Sequence, residues 1–142
     1  MTGVLYTSAI LRLATSIPHD RRLGGPHATV ERRSPVCGSR IVVDIVTDAQ
    51  GRVTGLGQEV RACALGQASA SLMGAHAIGR TASDLSSARA ALADYLGGGR
   101  EDPGDWPGLD IFAAARAHPA RHASILLPFD AAAEAARAAG AA

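Results

Sequence analysis

The chain has 142 residues, 47% of them hydrophobic and 19% charged. That length fits one domain of about 100–200 residues, and the apolar share argues against disorder. Its 14 basic and 13 acidic side chains nearly cancel to +1, which leaves no basic field for nucleic acid; aromatics at 4% leave few stacking platforms for single strands.

The apolar N-terminus lacks a leading basic stretch and is interrupted by Arg12, which argues against a signal peptide. No run reaches the roughly 18–20 apolar residues of a membrane span. The expected compartment is therefore the cytoplasm, where thiols stay reduced. No membrane or nucleic-acid partner is expected.

Residues Tyr6 to Ala14 read as a short amphipathic helix, closed off by Pro18. His19 to His27 carries Gly24, Gly25 and Pro26 and reads as a loop. Ala28 to Val36 reads as an extended segment, followed by a Cys37-Gly38-Ser39 turn. Arg40 to Thr47 is β-branched and reads as a strand. Asp48 to Gly51 offers a hairpin turn, and Arg52 to Ala62 a third strand. Asp44 is expected on a solvated sheet face.

The second half reads as helical. Cys63 to Ile78 is small and apolar, suited to a helix packed tightly on a sheet. Thr81 to Asp84 offers N-caps for a helix running to Leu96, before three glycines. Trp106 lies in a loop and reads as its anchor to the core. Leu109 to Ala117 reads as a short helix, and Pro119 to Ala139 as a turn leading into an alanine-rich helix. The low-complexity end, from about residue 131, is expected to fray. Strands followed by helices imply an α+β fold: a small three-stranded antiparallel sheet with helices mainly on one face.

The chain holds 2 cysteines, too few for a disulfide scaffold. Cys37 lies after the first strand and Cys63 where the third gives way to a helix, so a meander puts both at one rim. A helix N-terminus favours the thiolate, and a thiolate rim suits an iron–sulfur cluster or zinc. Free cysteines are equally well small buried hydrophobes.

The order Pro35-Val36-Cys37-Gly38, strand, turn, strand, then Arg61 to Met73 (RACALGQASASLM) resembles the IscU/NifU/SufU-type iron–sulfur cluster assembly scaffold family. Pro119-Ala120-Arg121 followed by Ile125-Leu126-Leu127 is similar to that family's third-cysteine helix. The resemblance spans roughly residues 5 to 135 and implies a single NifU N-terminal-like domain over residues 1–142 with a SufE/NifU-like fold. It implies a scaffold or carrier rather than an enzyme, holding an iron–sulfur cluster, such as [2Fe–2S], or zinc. The implied partners are a cysteine desulfurase and iron–sulfur client or carrier proteins. Cys37 and Cys63 match the family's first two cysteines. Ser39 stands where the family has an aspartate. The third-cysteine position falls on Ser124 in one register and on Ala123 in the other, and neither supplies a thiol. Ser39, Ser124 and His122 are therefore accessory positions. The alternatives are a degenerate binding module that makes no cluster, or a sulfur-accepting partner of the desulfurase.

Overall fold

A computed structural model describes residues 5–35 and 38–140. Its elements are α1 (Ser8–Ala14), β1 (Ala28–Arg33), β2 (Arg40–Thr47), β3 (Val53–Arg61), α2 (Ala64–His76), α3 (Ala82–Leu96) and α4 (His122–Gly140). Two 3-10 segments, Leu109–Ala117 and Pro119–Arg121, precede α4. The strands pair antiparallel in the order β1-β2-β3, the meander that the sequence implies. The first strand stops at Arg33, short of the expected extended run, of which Val36 lies outside the described residues. Its end is set by a local turn: the Ser34 amide donates to the Ser39 carbonyl at 2.8 Å and the Gly38 amide to the Ser34 carbonyl at 3.1 Å.

Strand β2 is buried along most of its length, which means that both sheet faces are covered. Side chains alternate between the faces. Ile41, Val43 and Ile45 join the main core with Val30, against which α4 lies across β1 and β2. The opposite face carries Asp44, paired across the sheet with Thr29 and Gly57. That face is covered by the loop between α1 and β1. A side chain at Gly57 would place its Cβ 2.5 Å from the Arg21 carbonyl oxygen and 3.0 Å from the Leu23 amide nitrogen, so glycine is what lets the loop lie flat on β3.

This loop overturns the expectation for Asp44, which is fully buried rather than solvated. Arg22 Nε donates to one carboxylate oxygen at 2.7 Å and Arg22 Nη2 to the other at 3.1 Å. The Leu23 amide adds a bond of 2.9 Å and the Thr29 hydroxyl one of 2.6 Å. Burial pushes the carboxyl up, but the bonds from Arg22, Thr29 and Leu23 outweigh it and hold Asp44 below its ordinary range.

The alanine-rich end is also unlike its expected frayed state. Helix α4 runs to Gly140, and Ala131, Ala132, Ala135, Ala136 and Ala139 are buried. Small side chains here let α4 approach the sheet, α2 and α3 together, so the run that looks featureless is an inner surface of the core. Phe129 supplies bulk at the centre of that helix and meets Trp106 edge-to-face at 5.2 Å. Trp106 is buried and its indole N–H donates to the Leu72 carbonyl at 2.9 Å; this ties its loop to α2, as an anchor would. Helix α3 begins with a capping box in which Thr81 and Asp84 satisfy each other's amides. Leu109–Ala117 is helical as expected, but in the tighter 3-10 form. Among the described residues no helix is long and apolar enough to cross a membrane.

Candidate functional site

The strand register gathers the candidate residues. Arg33 pairs with Arg40, and Arg40 with Arg61. The β1–β2 connection and the exit of β3 therefore lie at the same end of the sheet. Cys37, expected as the first thiol of this rim, lies outside the described residues. Ser39 follows it just before β2, and Cys63 stands two residues beyond the end of β3.

Cys63 is the N-cap of α2, with extended backbone (φ −65°, ψ 168°) and no side-chain capping bond. Its thiol is free and partly exposed. The first-turn amides of α2 face this end of the helix. The sequence places the cysteine here because strand-forming residues end at Arg61 and the small, helix-compatible run begins at Ala64.

Helix α4 brings in the other side. Ser124 is in its first turn and is buried, as is Ser39. Their hydroxyl oxygens are 3.0 Å apart, so one donates to the other. The two residues are 85 positions apart in the chain and join the β1–β2 connection to the start of α4. Helix α2 packs against the same point: a Cβ on Gly66 would lie 3.4 Å from the Ser124 carbonyl oxygen and 3.7 Å from its Cβ. One turn further along α2, the buried Ser69 hydroxyl donates to the Ile125 carbonyl. The small residues of the Cys63 stretch thus let α2 and α4 converge beside the rim.

His122 opens α4. Its Nε2–H donates to the Ala115 carbonyl at 2.8 Å, which fixes the ring against the preceding 3-10 segment. Ala123 is partly exposed and lines a surface groove with Arg32, Ser34, Pro35 and Leu126. Arg40 closes the sheet end electrostatically, bridging Glu59 at 2.9 Å and Glu31 at 3.1 Å; the Arg40 guanidinium holds both carboxyls below their usual range. Among the described residues no three His, Cys, Asp or Glu side chains cluster as a metal site. Reading the sequence alone missed the Ser39–Ser124 bond. The signal for it is indirect, two hydroxyls at the two positions where a resemblance calls for ligands.

No family model and no curated protein matches the chain. Solved structures do. A nitrogen-fixing NifU-like protein (N-terminal) from Brucella abortus is 38% identical, covers 94% of this chain and 93% of its own, and superposes with a TM-score of 0.88. A candidate iron–sulfur cluster assembly scaffold for the SUF system from Fervidobacterium islandicum AW-1 shares the fold at 20% identity, with a TM-score of 0.85 over 93% of this chain and 96% of that one. A hypothetical protein at 21% identity shares it too, with a TM-score of 0.82 over 94% and 97% of the two chains.

Proposed function

Because the chain belongs to the IscU/NifU/SufU-type family of iron–sulfur cluster assembly scaffolds, a family of scaffolds and not of enzymes, we propose that it carries iron–sulfur cargo on the thiolates of Cys37 and Cys63. The reading treats residues 1–142 as one NifU N-terminal-like domain. The observation that carries it is the position of Cys63: a free, partly exposed thiol on the N-terminal end of α2, at the sheet end from which the β1–β2 connection leaves. A thiolate there is a soft ligand. The chemistry is coordination and handover. A cysteine desulfurase is the proposed sulfur donor and iron–sulfur client or carrier proteins the receivers, in the reducing cytoplasm. The Ser39–Ser124 contact supports the register that places Ser124, rather than Ala123, opposite the family's third cysteine.

Anaerobic reconstitution with iron and sulfide is expected to give the wild-type chain a visible sulfide-to-iron absorption that Cys37→Ala/Cys63→Ala lacks. Equal absorption in the two would sink the proposal. The hydroxyl pair at the remaining ligand positions favours one second reading, in which the chain accepts sulfur at Cys63 from a desulfurase without building a cluster. That reading expects a mass gain of one sulfur atom on Cys63 after incubation with a desulfurase and cysteine, reversed by a reducing thiol, and no visible cluster band.

A further inference from the structure

The buried contact between Ser39 and Ser124 limits what the rim offers a metal. Their hydroxyls are 2% and 1% exposed as residues and bond to each other at 3.0 Å. A hydroxyl is a hard, neutral donor and a poor ligand for thiophilic ions. Each keeps a lone pair while hydrogen-bonded, but both are buried where Cys63 is partly exposed, so what they could offer is a hard oxygen away from the open side of the rim. The imidazole of His122 is held on the Ala115 carbonyl by Nε2, which leaves it one nitrogen donor, Nδ1, and no thiolate. No cluster of three conventional ligands stands among the described residues. Iron–sulfur clusters are normally held by four thiolates, so the serine pair and the expected cargo do not fit each other.

We infer that Ser39 and Ser124 form a buried hydroxyl pair that supplies the cargo no thiolate, so that the cargo's remaining ligands are thiolates from outside the chain. The inference rests on the proposed role of the cysteines. The step is ligand exchange without electron transfer: an external thiolate replaces water on the metal, and its proton goes to solvent. The partial exposure of Cys63 leaves that side open to an incoming ligand. The external thiolate has two sources, a small thiol such as glutathione or a second copy of this chain.

Cobalt(II) added anaerobically to the full chain is the probe, because thiolate-to-cobalt absorption per bound ion rises with the number of thiolates. For wild type this absorption is expected to roughly double when glutathione is added or protein concentration is raised, as filling a four-coordinate site from outside requires. Native mass spectrometry separates the sources: one chain with cobalt and glutathione, or two chains per cobalt. Ser124→Cys, nearly isosteric, is expected to raise the absorption without glutathione and to tighten cobalt binding by at least about tenfold, the scale on which even outer ligand-shell changes act. Ser39→Ala is expected to leave wild-type cobalt binding unchanged. Wild-type absorption indifferent to both glutathione and concentration, or cobalt binding weakened by Ser39→Ala, overturns this inference. Cobalt binding that survives Cys63→Ser intact overturns instead the cysteine reading on which it rests.

Discussion

Asp44→Ala is expected to destabilise the fold by about 1.5–3 kcal/mol, the scale for hydrogen bonds to a charged group. The carboxylate is the shared acceptor of four bonds, from Arg22 twice, Leu23 and Thr29. Its loss leaves the half-buried Leu23 amide and the hydroxyl of exposed Thr29 to find water instead. Arg22 softens the effect, because its side chain is 46% exposed and can turn to water. The loop that covers the outer sheet face is held by these bonds, so the variant should also show faster amide exchange over residues 19–27. A fall in melting temperature of roughly 10 °C is the corresponding thermal readout. A urea midpoint within error of wild type would contradict this account of Asp44.

The same carboxylate makes a pH prediction. Its folded value lies below the unfolded one, so the folded state prefers the ionised form. That contribution is fully present above the unfolded value of about 3.9 and is lost as pH falls through the folded value. Wild type should therefore lose stability more steeply below about pH 4 than Asp44→Ala does. Parallel acid-unfolding curves would assign the difference to other carboxylates.

Phe129→Ala is expected to cost about 3–5 kcal/mol, the range for deleting a fully buried aromatic ring. Phe129 has no solvent exposure and lies in α4 with Ala132 and Ala133 on the following turn. Those alanines are too short to move into the space, so the cavity persists. Its edge-to-face partner Trp106 reports the change: near-ultraviolet circular dichroism should weaken in the variant while far-ultraviolet helicity is kept. Phe129→Leu should recover more than half of the loss. A loss under about 1 kcal/mol in Phe129→Ala would mean that α4 collapses onto the sheet in a way its packing does not suggest.

Local patterns made much of this fold legible. Arg40–Thr47 is a strand by its β-branched residues, and Thr81 and Asp84 start α3 by a capping box that is visible as Thr-x-x-Asp. Cys63 was placeable at a strand-to-helix junction for the same reason. What stayed hidden depends on partners far along the chain. Asp44 reads as a surface acid because nothing near it in sequence neutralises it; Arg22, 22 residues away, does. The alanine-rich run reads as a loose tail because alanine has little to bury by itself. It is buried here because small side chains admit close neighbours, a property of the surfaces that meet it. The Ser39–Ser124 contact joins residues 85 positions apart, and only the convergence of α2 and α4 beside the sheet end brings it about. The family's pattern marked both positions as departures, but the pattern says nothing of a hydroxyl bonding to a hydroxyl.

The claim that this rim carries iron–sulfur cargo rests on its thiols. Its most direct test is the iron and acid-labile sulfide retained per chain after anaerobic reconstitution with glutathione present and removal of unbound ions, compared between wild type and Cys63→Ala. The account predicts that wild type retains both elements and that Cys63→Ala, folded to the same extent by circular dichroism, retains neither. Equal iron and sulfide in the two proteins would contradict it.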